Sequence, residues 1–259
     1  RALAEDFGAY AVLAGDDLAF AALAKFVERM DGLEISETTR TMMIRSMPAA
    51  PAARLLASDS AFIVAEQHRR PCPAPPCVAN PTVQEAEAFA AVHGYPLVLK
   101  RDGFASGHGV SVCRDREALM RAVSRAQAPE HPRNSTFVLQ KFIAGKVYGA
   151  TVSGVHGRAL AGFSFVKHWC STENGATSVA LHDDRDDILH HAFEVFEQFG
   201  LNGFSGFDYI VDSEGEAFFI EINHRLMPTG HLTCFGVDLA ATFMAGVCGQ
   251  QAPAPMPRA

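Results

Sequence analysis

A β-hairpin in the last quarter of the chain constrains its fold more than any other feature. Two apolar segments flank Asp212-Ser213-Glu214-Gly215, whose composition is typical of a tight turn. The turn makes the two strands antiparallel neighbours and brings Asp208 opposite the second strand. Glu221 and Asn223 lie two residues apart on that strand, so their side chains should point to one face. The sequence therefore predicts two carboxylates and an amide oxygen on the same face of a sheet.

Oxygen atoms in this arrangement are typical ligands of Mg²⁺. That ion takes few carboxylates and completes its shell with water and phosphate oxygens. Unpaired carboxylates on neighbouring strands repel each other, so a bound cation would explain why Asp208 and Glu221 stand together. Arg225 follows Asn223 by two residues and can point at the same site, where a guanidinium could bind a phosphoryl group or an acyl phosphate. The alternative is an exposed sheet face whose charges are incidental.

A glycine-containing loop forms the second informative pattern. Lys100 ends an apolar strand, a loop with Gly103, Gly107 and Gly109 follows, and a return strand begins at Val110. Glycines let backbone amides approach phosphate oxygens closely, and successive N–H groups form an anion-binding concavity. The loop is not a P-loop, because G-x-x-x-x-G-K-[ST] is absent, nor a dinucleotide-binding fingerprint, because a strand follows it instead of a helix. A flexible hairpin with a solvated lysine is the alternative.

Composition narrows the class of partner. The chain of 259 residues has a formal net charge of −7 and therefore lacks the basic footprint of a nucleic-acid-binding protein. No apolar run reaches the roughly 18 residues that cross a bilayer. Six cysteines without a C-x-x-C pair predict reduced thiols in a cytoplasmic protein. We therefore expect neither a nucleic acid nor a membrane as a partner.

The N-terminal part of the sequence predicts a small α/β unit. Residues 10–14 are apolar enough for a buried strand, and an alanine-rich helix follows, capped by Asp16 or Asp17. Residues 38–51 contain two prolines and are predicted to be irregular. One strand and one helix cannot form a sheet alone, so the remaining strands either precede Arg1 or are missing from a reduced lobe.

The order of these features resembles the ATP-grasp superfamily. A lysine on a strand, a glycine loop, a hinge strand and then Asp…Glu-x-Asn-x-Arg succeed one another between about Asp59 and Ala241. The stretch Glu221-Ile222-Asn223-His224-Arg225 is similar to the E-[IVA]-N-x-R element of carboxylate–amine ligases and carboxylases of that superfamily. The resemblance implies an α+β fold in which two α+β lobes clasp ATP, preceded by a partial α/β N-terminal lobe.

This resemblance also implies a division of the chain. Residues 1–52 would form the partial N-terminal lobe, and residues 53–259 would form the ATP-grasp domain. Within that domain we expect a helix and linker over 53–76, a small lobe with the glycine loop over 77–143, and a large lobe with the metal site over 144–259.

The same resemblance assigns roles to individual residues. Lys100 and Arg225 would be the catalytic residues, Lys100 on the ATP phosphates and Arg225 on the transferred phosphoryl or acyl-phosphate charge. Asp208, Glu221 and Asn223 would hold Mg²⁺, with Mn²⁺ as the other candidate metal. The residues implied to bind ATP are Lys100, Gly103, Ser106, Gly107 and Gly109 around the loop, Gln140, Lys141, Phe142 and Ile143 at the hinge, and Lys167.

Two positions depart from the family pattern. Many members have an Asp-Lys pair that supplies a second phosphate-binding lysine, and here Asp59-Ser60 stands there. Many also have a ribose-binding glutamate in a G-x-E context, whereas Gly145-Lys146-Val147 places valine at that position. A lost ribose acceptor costs about 1–3 kcal/mol if the hydroxyls find no other partner. Arg54, Lys146 or Lys167 could replace the missing lysine, or the domain is slow or has lost catalysis.

The predicted function is that of an ADP-forming ligase. ATP would phosphorylate a small-molecule carboxylate to an acyl phosphate, and an amine or a thiol would then displace phosphate. The alternatives are a carboxylase-like enzyme that uses bicarbonate and a non-catalytic nucleotide-binding domain. Residues 227–231 would shape the substrate site by the same resemblance, and the oligomeric state, including a homodimer, stays open.

Overall fold

The computed structural model describes residues 9–104, 107–128, 136–170, 177–227 and 236–251. Two antiparallel sheets dominate this part of the chain, and helices cover each of them. A helical segment at the N-terminal end packs against the second sheet. The α+β architecture predicted from the sequence is therefore confirmed.

The N-terminal segment differs from its prediction in two ways. Residues 10–14 form no strand, because Val12 N–H bonds to Ser46 Oγ at 2.7 Å and the carbonyl of Ala14 accepts from Leu226 N at 2.8 Å, which leaves no regular ladder. Residues 38–51, predicted to be irregular, lie mostly in helices. The elements here are α1 (Asp17–Arg29), a 3₁₀ turn (Met30–Gly32), α2 (Glu37–Ser46) and α3 (Ala50–Leu56).

Caps explain where these helices begin. Asp16 caps α1 by accepting from Ala19 N, as predicted, and Ser36 caps α2. Pro51 falls in the first turn of α3, where a missing N–H breaks no helical bond. The segment predicted to be a helix and linker contains the end of α3 and a second helix, because α3 ends at Leu56 and Ser58 caps α4 (Asp59–Ala65).

The smaller sheet carries the lysine and the glycine loop. We call it the small sheet; its strands are β1 (Cys77–Ala79), β2 (Leu97–Arg101), β3 (Val110–Cys113) and β4 (Phe137–Lys141), in the order β1-β4-β2-β3. The helices α5 (Val83–His93) and α6 (Arg116–Gln127) pack on one face through an apolar cluster that includes Leu97, Leu99 and Leu139. A capping box formed by Thr82 and Glu85 starts α5. Side chains directly opposite each other in the ladder share a face, so Lys100, Val138 and Gln140 lie on the other side.

The larger sheet carries the acidic residues. We call it the large sheet; its strands are β5 (Lys146–Val155), β6 (Arg158–Cys170), β7 (Thr177–His182), β8 (Gly203–Val211) and β9 (Ala217–Asn223), in the order β7-β6-β5-β8-β9. The helices α7 (Asp186–Gln198) and α8 (Leu239–Val247) cover it. Residues 167–170 end β6 and residues 177–182 form β7, although the polar composition of this part of the sequence is not typical of strands.

One hydrophobic core joins the N-terminal segment to the large sheet. Phe20 of α1, Met43 of α2 and Phe62 of α4 belong to the same buried cluster as Phe207 and Phe219. The rings of Phe62 and Phe219 stand edge to face with centroids 5.8 Å apart. Helix α4 therefore belongs to the large-sheet core although it precedes the small sheet in the chain.

Candidate active site between the two sheets

Asp208 and Glu221 face each other on neighbouring strands. The two residues are direct partners in the β8–β9 ladder, and Asn223 pairs with Gly206 two positions further along. The register slips between Asp208 and Tyr209, so Ile220 is an extra residue without a partner on β8. The register of this hairpin thus brings together Asp208, Glu221 and Asn223, the three residues predicted to bind the metal.

This β-bulge at Ile220 decides which way Glu221 points. Phe219 pairs with Tyr209 and lies in the hydrophobic core. In a regular strand Glu221 would share that face, because side chains two apart point the same way. The extra residue shifts the alternation by one, and Glu221 joins Asp208 on the opposite face.

Lys100 crosses from the small sheet to the bulge. Its Nζ donates to the carbonyl oxygen of Ile220 at 2.9 Å. A bulged residue leaves a ladder carbonyl available, and here an ammonium group uses it. The lysine predicted to bind phosphate therefore stands beside the acidic pair, and its charge acts on Glu221.

Lys167 pairs directly with Asp208. Its Nζ lies 2.6 Å from Asp208 Oδ2, and both side chains are largely buried, with 15% and 14% of their surface exposed. Burial alone would lower the pKa of Lys167, but the charge and hydrogen bond of Asp208 outweigh it and raise that pKa. The ammonium is therefore charged at neutral pH and neutralises half of the carboxylate pair.

Glu221 carries an unfavourable charge. Burial raises the pKa of its carboxyl group, and the neighbouring Asp208 raises it further, against the opposing effects of Lys100, Lys167 and Asn223. A divalent cation at this position would favour the ionised form. The electrostatics of the pair thus fit a bound metal ion.

Arg225 is held at the edge of the same site. Its Nη2 donates to Asn223 Oδ1 at 2.8 Å, and its Nε donates to Asp17 Oδ1 at 2.7 Å. The pairing with Asp17, in the first turn of α1, was not predicted. No local pattern signals it, since the two residues lie at opposite ends of the chain.

The glycine loop has the backbone that its residues suggested. Gly103 and Gly107 adopt φ values of 77° and 78°, which residues other than glycine rarely adopt. A Cβ atom on Gly109 would lie 2.7 Å from the carbonyl oxygen of Arg101, so this position admits no side chain without a shift. Ser106 lies outside the described residues.

The predicted hinge joins the two sheets. Gln140 and Lys141 end β4, and Phe142 and Ile143 lie in the short connection to β5. Gln140 is buried, and its Nε2 has no hydrogen-bond partner within the described residues. A buried amide without a partner is costly, so a ligand edge with a complementary polar atom would stabilise it.

The two departures from the family pattern occupy different surroundings. Ser60 is buried at the start of α4, and Val147 lies on β5 opposite Ile210. Of the three cations considered as replacements, Arg54 pairs with Glu28 away from the site, and Lys146 is exposed at the start of β5. Lys167 contacts the acidic pair. Within the predicted substrate loop 227–231, only Met227 lies in the described part of the chain.

The donor set fits Mg²⁺ more than a structural transition metal. Among the described residues, no group of three or more His, Cys, Asp and Glu side chains is arranged to hold a metal. Two carboxylates and an amide instead suit an ion that takes its other ligands from phosphate and water. The five cysteines in the described part of the chain are free thiols, and burial raises the pKa of Cys72 and Cys77 to about 12.

Comparisons with known proteins agree with this geometry. A family model described as an ATP-grasp domain matches residues 64–229. Biotin carboxylase of Haemophilus influenzae is 25% identical over 176 residues, which are 62% of this chain and 38% of that protein. The vancomycin C-type resistance protein VanC1 of Enterococcus gallinarum is 26% identical over 160 residues, which are 56% of this chain and 45% of that protein. The chain thus spans less than half the length of either relative.

A solved structure shows the same fold. The biotin carboxylase domain of 2-oxoglutarate carboxylase from Hydrogenobacter thermophilus, solved as a dimer with MgADP, ADP and bicarbonate, matches with a TM-score of 0.73 at 19% identity. The match covers 98% of this chain and 57% of that one. No helix in the ranges that the structure describes is long and apolar enough to cross a membrane. Because the family model covers more than half of the residues and the fold agrees, the chain belongs to the ATP-grasp family.

Proposed function

We propose that this chain binds Mg-ATP between its two sheets and transfers the γ-phosphoryl group to a carboxylate, as an ADP-forming ligase. One observation carries the proposal. Two lysines from different sheets, Lys100 and Lys167, converge on the directly paired carboxylates of Asp208 and Glu221. Cations on both sides of a metal-binding carboxylate pair are what phosphoryl transfer needs, since catalysis there is mostly positioning and charge neutralisation.

Each residue of the site has a role in this proposal. Asp208, Glu221 and Asn223 would hold Mg²⁺ or Mn²⁺, which would neutralise charge on the phosphates. Lys100 would bind the phosphates across the cleft. Lys167 would leave Asp208 for a phosphate oxygen when metal and nucleotide arrive. The backbone of the glycine loop would cover the phosphates, and the hinge with Gln140 would pair with the base.

The reaction proceeds in two displacements. A carboxylate oxygen of the substrate attacks the γ-phosphorus, the bond to the β,γ-bridging oxygen breaks, and ADP leaves. An amine nitrogen, or a thiol sulfur, then attacks the acyl carbon and loses its proton while phosphate departs. Arg225 would stabilise the negative charge of the acyl phosphate, because a guanidinium can contact two of its oxygens.

Bicarbonate is the second candidate for the carboxylate. The relative from Haemophilus influenzae is a biotin carboxylase, and the matched structure from Hydrogenobacter thermophilus contains bicarbonate. The first step would then form carboxyphosphate by the same attack on the γ-phosphorus. The matched structure from Hydrogenobacter thermophilus is a dimer, which supports a homodimer for this chain. Light scattering of the purified chain would test this.

A panel assay distinguishes these possibilities. ADP release is measured with Mg-ATP and either bicarbonate or a set of amino and hydroxy acids, each with and without amine acceptors. We expect release that depends on one carboxylate and is lost in Lys100→Ala, Asp208→Ala and Glu221→Ala. Lys25→Ala, which removes an exposed lysine on α1, is the matched control. Turnover like that of the unaltered protein in Glu221→Ala would refute the metal role, and nucleotide binding without turnover would favour the non-catalytic alternative that Ser60 and Val147 suggest.

A further inference from the structure

Asp102, the first residue after β2, accepts hydrogen bonds from side chains and the backbone on its two carboxylate oxygens. Its Oδ1 accepts from Ser60 Oγ at 2.6 Å and from Ser60 N at 3.0 Å. Its Oδ2 accepts from Ser58 Oγ at 2.8 Å and from Thr136 Oγ1. Its backbone N–H donates to the carbonyl of Thr136 at 2.9 Å. We call Asp102, Ser58, Ser60 and Thr136 the Asp102 clasp.

The clasp connects parts of the molecule that belong to different cores. Asp102 extends β2 of the small sheet, and Thr136 precedes β4 of the same sheet. Ser58 caps α4, and Ser60 lies in the first turn of that helix, whose Phe62 is buried in the large-sheet core. The carboxylate therefore fastens the end of β2 to a helix of the opposite lobe.

The hydrogen bonds of the clasp favour a carboxylate at this position. Four donor groups lie within hydrogen-bond distance of its two oxygens, and one of them, the backbone N–H of Ser60, can only donate. An asparagine would present one oxygen and one NH₂ group, so the hydroxyl groups that contact the second position would have to accept instead of donate. Hydrogen bonds to a charged acceptor are also about twice as strong as hydrogen bonds between neutral groups. A few such bonds can therefore hold the end of β2 against α4.

These contacts give a structural reason for serine at position 60, where many members of the family have a lysine. Ser60 is 1% exposed, and both its hydroxyl and its amide bond to Asp102. A longer cationic side chain there would have to displace these contacts. Ser60 thus holds Asp102, which lies two residues after Lys100, and supplies no positive charge to the proposed phosphate site.

We propose that Asp102 is a positioning residue that sets the place of Lys100, two residues earlier, against the large sheet. Fixing the end of β2 to α4 fixes the distance that the Lys100 side chain spans to reach Ile220. Asp102 itself contacts neither nucleotide nor metal in this scheme and acts through Lys100. The inference rests on the proposed function, because it assumes that Lys100 binds the phosphates.

A double-mutant cycle with Mg-ADP tests the inference. Calorimetric affinities are compared for the unaltered chain, Asp102→Asn, Lys100→Ala and the double variant. We expect Asp102→Asn to weaken binding roughly tenfold in the unaltered background, as for a lost charge-assisted contact, and less than twofold beside Lys100→Ala. A residue that only stabilises the fold would lower the melting temperature equally in both backgrounds without this coupling.

Two further variants separate positioning from general destabilisation. Thr136→Ser keeps the donor hydroxyl and should retain full affinity, whereas Thr136→Val removes it and should weaken binding. Asp115→Ala removes the cap of α6 in the same lobe and should lower stability without changing affinity. Equal affinity of Asp102→Asn and the unaltered chain would overturn the positioning role alone. Absence of Mg-ADP binding by the unaltered chain would overturn both this role and the proposed function.

Discussion

Arg225 and Asp17 form an ion pair across 208 positions of sequence, with Nε 2.7 Å from Oδ1. The contact ties the first turn of α1 to the residue that the proposed mechanism places on the acyl phosphate. Half of the Asp17 side chain is exposed, so the pair adds little to stability in water. Its consequence is orientation, because Asp17 and Asn223 together hold the guanidinium at the edge of the site.

We therefore expect Asp17→Asn to lower kcat about tenfold, as for about 1.4 kcal/mol of lost transition-state stabilisation, with little change in melting temperature. Steady-state ADP release and thermal unfolding measure the two effects. Asp31→Asn removes another exposed ion pair of the same segment, that with Arg40, and serves as the control. A loss of similar size in both variants would mean that Asp17 acts through stability.

Replacing Glu221 should separate stability from function. Without metal, Glu221→Gln removes a like-charge pair on neighbouring strands, which costs up to about 1 kcal/mol. The melting temperature in EDTA should therefore rise, by about 2–4 °C for that free energy in a domain of 150–250 residues. Added Mg²⁺ should stabilise the unaltered protein and leave this variant unchanged. A lower melting temperature for Glu221→Gln in EDTA would contradict the strain assigned to the pair.

Removal of Lys167 should have the opposite effect. Lys167→Ala leaves Asp208 and Glu221 without their nearest countercharge, which should lower the metal-free stability by about 1–3 kcal/mol. Mg²⁺ replaces the lost charge, so the increase in melting temperature on adding Mg²⁺ should exceed that of the unaltered protein. Unfolding with and without Mg²⁺ measures this difference, and Lys25→Ala should show no change. An unaltered response in Lys167→Ala would place the metal elsewhere.

The parts of the site that are local in sequence were predictable. Turn residues placed Asp208 on the strand next to Glu221 and Asn223, and the glycines marked the loop after Lys100. The bulge at Ile220, which pairs Asp208 directly with Glu221, had no signal in the sequence. The ion pairs of Lys167 with Asp208 and of Arg225 with Asp17 were not predictable, because they depend on how distant elements pack. Their roles in a reaction stay predictions.

The wrong predictions about the fold also have physical causes. Residues 10–14 have strand composition, yet a strand needs a partner with a free edge. From the described ranges, this segment receives isolated hydrogen bonds and no ladder. Helix α2 was missed because its threonines lower helix propensity and because Pro48 and Pro51, which follow the helix, indicated an irregular segment. Ser36, which caps it, was the available signal.

A buried histidine predicts how stability depends on pH. His191 is fully buried, its Nδ1 bonds to Tyr209 at 3.0 Å, and burial lowers its pKa from 6.5 to about 3. The folded state keeps this imidazole neutral, while the unfolded chain takes up a proton below pH 6.5. The stability that it contributes is therefore present above pH 6.5 and is lost toward pH 3, by about 1.4 kcal/mol per pH unit.

His191→Gln should be less stable at neutral pH but should lose less stability on acidification. Denaturant unfolding between pH 7 and pH 5 measures the two slopes. Lys25→Ala, which changes an exposed residue of α1 that does not titrate in this range, should keep the slope of the unaltered protein. Identical slopes for His191→Gln and the unaltered chain would show that His191 is not the titrating group.

The extra residue in β9 serves the lysine more than the carboxylates. Deleting Ile220 would make Glu221 the direct successor of Phe219, so ordinary alternation would still direct its carboxylate to the face of Asp208. The shortened strand would instead lose the carbonyl group that accepts from Lys100 Nζ. In homologous chains, a β9 strand one residue shorter is therefore expected to keep the two carboxylates together and to lose the contact between the sheets.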